Sequence, residues 1–173
     1  MRKLTPILAL AMTAGLMTAV HAQRASPHET TKATIDGATI TVDYGRPYVK
    51  GRKIMGELVP YGKVWRTGAD EATSMTTDKA VQIGGTAVPA GKYTLYTLPG
   101  ETEWQLIINK QTGQWGTEYA QAQDLARVPL KKGATSAPVE QLTISIDKNP
   151  AGGGVLKIAW ENTELTAPIT AGK

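Results

Sequence analysis

Apolar and polar side chains alternate with a period of two along most of this chain, beginning near residue 32. Ile40, Val42 and Tyr44 alternate with Thr39, Thr41 and Asp43. Successive side chains of a strand point to opposite faces, so this is the pattern of a strand with one buried face. Asp36-Gly37 stands between two β-branched runs and has the residues of a two-residue hairpin turn. A hairpin over residues 32–44 is predicted. From Ala72 the alternation resumes, and strands are predicted over residues 80–83, 92–98, 104–109, 127–130, 139–147, 155–161 and 165–169. Pro150-Ala151-Gly152-Gly153-Gly154 supplies one of the turns. Helical character is confined to residues 118–126, which Thr117 would cap. About eight to ten short strands at this spacing predict an all-β fold, an antiparallel β-sandwich of jelly-roll type.

The alternation is interrupted once. The stretch GRPYVKGRKIMGELVPYGKVWRTG places Gly or Pro at positions 45, 47, 51, 56, 60, 62 and 68, which breaks helix and ladder alike. Its apolar and aromatic residues argue for an ordered loop, with at most one helical turn near residues 54–58. Long ordered loops on a β scaffold commonly carry function.

The amino end has a basic start at Arg2 and Lys3, a short apolar middle and small residues before Ala22. That is the organisation of a cleavable secretory leader. Residues 1–22 are therefore expected to be removed, residues 23–173 to form one domain, and the product to be periplasmic or secreted. With no cysteine, neither a disulfide nor a thiolate nucleophile is available. The net charge of +4 is interspersed along the chain, so no nucleic-acid stripe is indicated, and no later run is apolar for long enough to span a membrane. All aromatics are Trp or Tyr, with no Phe, and each has a polar tip that seeks a partner when the ring is buried.

Candidate chemistry concentrates in the interrupting loop. Arg46, Lys50, Arg52 and Lys53 are interleaved with Tyr48, Tyr61 and Trp65, a mixture suited to gripping an anionic or sugar-like ligand. The loop ends in Arg66, Gly68, Asp70 and Glu71. An arginine and a carboxylate make a planar, bidentate contact that fixes a loop as effectively as it fixes a ligand. If residues 69–73 are extended, Asp70 and Glu71 point to opposite faces and cannot confront one substrate as a glycosidase pair does. A catalytic reading then needs Glu71 or Glu57 as general acid or base, with a distant partner such as Asp43 or Asp124. His21 falls in the leader and His28 on an amino end expected to be flexible, so histidine chemistry is not anticipated. No metal-ligand spacing occurs, and no metal or cofactor is expected. Trp115-Gly116, Tyr119, Asp124 and Arg127 read as a sandwich corner with a buried Trp and a local ion pair.

Several short stretches in order carry a family resemblance: Arg46-Pro47, Lys50-Gly51-Arg52-Lys53-Ile54, the run GELVPYGKVWRTGA from Gly56 to Ala69, Pro89-Ala90-Gly91-Lys92-Tyr93-Thr94-Leu95, and Trp115-Gly116. With these the chain resembles the exported bacterial family known as domain of unknown function 2911, from about Ser26 to its end. The resemblance implies an extracytoplasmic all-β domain without an assigned activity, and it supplies no catalytic residue.

The resulting expectation is a noncatalytic exported module that binds a small polar, anionic or carbohydrate-like ligand, or an envelope partner protein, through residues 46–71. Arg46, Arg52, Tyr61, Trp65, Arg66, Asp70 and Glu71 are the expected contacts. The competing expectations are a histidine-independent hydrolase using Glu71 or Glu57, and a purely structural envelope protein.

Overall fold

Asp36 and Gly37 adopt φ of 49° and 83°, the paired left-handed conformation of a hairpin turn whose twist matches that of its strands. Strands β1 (His28–Ile35) and β2 (Ala38–Gly45) leave this turn in unbroken register, from Ile35 opposite Ala38 to His28 opposite Gly45. The hairpin thus begins at His28 rather than at residue 32. A computed structural model describes residues 26–172; the expected leader lies outside the described residues.

Seven further strands follow: β3 (Ser74–Thr77), β4 (Val81–Ile83), β5 (Thr86–Val88), β6 (Gly91–Leu98), β7 (Trp104–Asn109), β8 (Asp124–Lys148) and β9 (Gly154–Ala171). They form one antiparallel sheet in the order β1-β2-β3-β6-β7-β8-β9-β4-β5. The four strands predicted over residues 127–169 are in fact two. The amino end of β8 pairs with β7, its remainder pairs with β9, and register shifts between Ala134 and Thr143 mark bulges in the long ladder. Bulges bend a strand and increase its twist; the change of partner from β7 to β9 comes earlier, between Leu130 and Lys131.

The sheet folds back on itself. Tyr44 Oη accepts from the Ile144 amide at 2.9 Å and Thr31 Oγ1 donates to Ile144 O at 2.7 Å, so the first hairpin lies against the carboxyl part of β8. Ile40, Val42, Leu106, Ile108, Ile144 and Ile158, drawn from both parts, share one buried cluster. This agrees with the expected sandwich-like organisation. The expected helical stretch reduces to a single 3-10 turn, Gln121–Gln123. Pairing of Asp124 with Asn109 and of Ala126 with Ile108 draws its end into β8.

Candidate functional site

The segment between β2 and β3 is ordered because it is fastened at three places. Val49 N donates to Glu140 O at 2.7 Å and Leu142 N to Pro47 O at 3.0 Å, attaching the start of the loop to β8. Ile54 and Val59 are fully buried in the core, and the Val59 amide closes their turn on Ile54 O at 2.9 Å. Gly56, at φ +86°, keeps that turn from becoming helical. Trp65 then exchanges two backbone hydrogen bonds with Thr97, of 2.8 and 3.0 Å.

These attachments leave a cleft of about 710 Å³ between the loop, β6 and β9. Its aromatic wall contains Trp65 stacked on Trp160, with centroids 5.8 Å apart and planes 13° from parallel. Tyr96 and Tyr119 meet edge to face at 5.0 Å on another wall. Burial raises the phenol of each above its ordinary value, and for Tyr119 the hydrogen bond to Asp124 adds to this. Both therefore stay neutral at physiological pH. Lys50, Arg52 and Arg66 face the same cleft, with Asp70 as the one carboxylate among its described lining residues.

The backbone around Arg66 is strained. Thr67 holds φ +54° and Asp70 φ +62°; for a β-branched residue this is an outlier, costing about 1–3 kcal/mol. Thr67 is buried and locked: its hydroxyl bonds Trp65 O and Thr97 Oγ1, each at 3.2 Å, and its carbonyl accepts from Thr73 Oγ1 at 2.9 Å. Gly45 packs so closely on this turn that a Cβ there would lie 2.3 Å from Ala69 O. Strain held by its surroundings beside a cleft is a common attribute of a functional site.

Arg66 makes no hydrogen bond or ion pair among the described residues. Its side chain lies over Gly116, where a Cβ would come within 2.7 Å of Arg66 Cδ, while the Gly116 amide donates to Asp70 O at 3.0 Å. Asp70 is buried, with 6% exposure. Its Oδ2 accepts from Ser26 N at 3.2 Å and lies 3.5 Å from His28 Nε2.

The expected divergence of Asp70 and Glu71 fails, because Asp70 is left-handed rather than extended. Both carboxylates come to His28, whose Nε2 is 3.3 Å from Glu71 Oε2. His28, read from the sequence as part of a loose end, is the first residue of β1. The β-branched Thr30 and Thr31 just after it were the signal that the strand reaches back this far.

Other expected contacts lie elsewhere. Arg46 is a structural clamp: its guanidinium donates to Leu142 O and Thr143 Oγ1, each at 2.8 Å, and pairs with Glu29. Arg52 stays on the cleft rim with bonds to the carbonyls of Val49 and Tyr48. Tyr61 lies outside the cleft lining, exposed, with Lys132 Nζ 6.0 Å from its ring centroid. Glu57 is 61% exposed beside Lys53 at 3.4 Å and does not line the cleft. Trp115, expected to be buried, is 42% exposed, whereas the expected ion pair between Asp124 and Arg127 is present at 3.2 Å. Among the described residues no three His, Cys, Asp or Glu side chains are grouped to hold a metal ion, and no helix is long and apolar enough to cross a membrane.

The model of a family described as protein of unknown function (DUF2911) matches residues 26–169. The chain belongs to the DUF2911 family. No curated protein and no solved structure matches it. The cleft of this DUF2911 domain is bordered by Arg66, Gly68, Ala69 and Gly116, all of them within the short stretches that carried the family resemblance.

Proposed function

We propose that this DUF2911 domain is a noncatalytic module, exported to the periplasm or beyond, whose cleft binds a small anionic ligand built on a sugar-like ring. The supporting observation is Arg66, a cation held on a strained, locked turn at a cleft wall with no acid or carbonyl engaging it among the described residues. A guanidinium in that setting is preorganised for a carboxylate or phosphate. Lys50 and Arg52 on the same rim set three cations against the single carboxylate of Asp70. Stacked indoles and edge-on phenols offer flat apolar faces with polar tips, which suits a ring carrying hydroxyls, and about 710 Å³ lies within the range of small-molecule sites.

Hydrolysis fits the cleft less well, since a glycosidase pair needs two carboxyl groups facing one substrate and the described lining offers Asp70 alone. Glu71 turns toward His28, and Glu57 stands in solvent.

The test is a thermal-shift series on the purified chain with glucuronate, sugar phosphates and the neutral parent sugars. A ligand at a hundred times its Kd stabilises by about 2.7 kcal/mol, so a rise of several degrees is expected for the anionic sugars. That rise should be absent in Arg66→Ala. Equal shifts in the variant, or none with any anionic sugar, would refute the reading.

A further inference from the structure

Trp115 is 42% exposed, beside Gly116 of the cleft lining, and its backbone is held firmly. Residues 114–116 run antiparallel to residues 70–72: the Gly116 amide donates to Asp70 O at 3.0 Å, the Ala72 amide to Gln114 O at 3.2 Å, and Trp115 is the direct partner of Glu71. Two hollows flank this ribbon. Asp70, Gly116 and Thr117 border the large cleft, whereas Glu71, Ala72, Gly113 and Gln114 border a second hollow of about 260 Å³. A wall only two strands wide, about 5 Å between strand axes, therefore separates two concavities, and it carries an exposed indole.

The second hollow differs in chemistry. Lys92 offers donors there and stands with the His28 imidazole, while Asp43 and Glu71 offer acceptors. The buried Gln114 amide donates to Thr94 Oγ1 at 3.2 Å and Tyr96 Oη at 3.0 Å, and its Oε1 has no hydrogen-bond partner among the described residues. Mixed donors and acceptors of both signs suit hydroxyl and amide groups rather than a second net charge. Gln114 also links the two hollows, because Tyr96, to which it bonds, lines the large cleft.

We propose that the second hollow is an extension subsite, and that the ligand is an acidic oligosaccharide of at least two residues. Its acidic sugar occupies the cleft at Arg66. The next, neutral sugar crosses the ribbon stacked on Trp115 and places its hydroxyl or amide groups in the hollow of Lys92 and Gln114. This rests on the anionic-ligand reading of the cleft and specifies its ligand.

The experiment is isothermal titration of the full chain with glucuronic acid and with the disaccharide and tetrasaccharide of hyaluronan, in which glucuronate alternates with neutral N-acetylglucosamine. The disaccharide should bind about tenfold more tightly than the monosaccharide, the gain of one stacked ring. Trp115→Ala should abolish that gain while leaving glucuronate affinity within about twofold, and Trp115→Tyr should restore part of it. Trp115 is exposed, so these variants are expected to fold, and their melting temperatures check that they do. Glucuronate binding without any gain on lengthening, or a gain that survives Trp115→Ala, overturns the extension subsite and leaves the cleft reading standing. Failure of glucuronate and both oligosaccharides to bind overturns the cleft reading and the subsite together.

Discussion

His28 Nε2 lies 3.5 Å from Oδ2 of Asp70, so the first residue of the sheet abuts the carboxylate on the cleft wall. That contact spans the chain from β1 to the turn carrying Arg66, and the Ser26 amide donates to the same oxygen at 3.2 Å. Replacing His28 by Ala is expected to destabilise the fold by about 1 kcal/mol, in the range for a partly exposed polar contact. A lowered urea midpoint with unchanged slope is the signature to look for, and His28→Gln should recover part of the loss.

Arg46 and Arg66 should behave in opposite ways. Removing Arg46 leaves Leu142 O, Thr143 Oγ1 and the Glu29 carboxylate without their donor. Arg46→Ala is therefore expected to cost about 2–3 kcal/mol. Arg66→Ala deletes no hydrogen bond among the described residues and should shift the melting temperature by no more than about 2 °C, while abolishing stabilisation by anionic sugars. Calorimetric scans of both variants, with and without glucuronate, compare the two roles in one experiment.

Gly45 marks the tightest backbone approach at the site. A methyl group there would sit 2.3 Å from Ala69 O and 2.9 Å from Ala69 C, and neither atom can yield without moving the strained turn. Gly45→Ala is expected to destabilise by about 3 kcal/mol, at the upper end for overpacking, and to displace Arg66. Equilibrium unfolding in urea measures the first effect, and loss of ligand-induced stabilisation reports the second.

Stability should fall on the alkaline side through the buried phenols. Desolvation by burial is the largest cause that holds the Tyr44 hydroxyl above its ordinary value, opposed by the hydrogen bond with Ile144 and reinforced by the charge of Glu29. A folded-state value above the unfolded one means the native state keeps this proton more tightly. The associated stability is then complete below about pH 10 and is lost as pH rises through the folded value. Tyr44→Phe should make the decline above pH 10 shallower. It should also cost about 1–2 kcal/mol at pH 8, because the Ile144 amide loses its acceptor. Urea midpoints at pH 8, 10 and 11 for both proteins test the sign.

The parts of this fold that were legible in the sequence are those set by neighbours in the chain. Asp36-Gly37 announced its hairpin because two adjacent residues determine the turn, and the alternation from Trp104 to Asn109 announced β7. Continuity of β8 was hidden, since Gly133 and Pro138 have the residue types of breaks, while Gly133 keeps its place opposite Glu164 and Pro138 falls in the register shift between Ala134 and Val139. At the site, Trp65, Arg66 and Asp70 were singled out and do meet at one cleft. The pairing of His28 with Asp70 was not readable, because it depends on a left-handed aspartate that local propensity disfavours and that tertiary packing enforces. Arg46 was misread for a related reason: its partners Leu142 and Thr143 are brought to it by the folding back of the sheet.

The placement of β4 and β5 has a consequence for how the chain acquires its shape. This short hairpin lies mid-chain, yet its one strand neighbour outside the hairpin is the far end of β9, with Val81 opposite Ala171 and Ile83 opposite Ile169. It has no ladder to join until residues 169–171 have been synthesised. Such distant closures make for slow folding, so the docking of this hairpin is expected among the last steps of folding. Trimming the final ten or so residues should leave β4 and β5 without a dock, however intact the Arg66 turn may be.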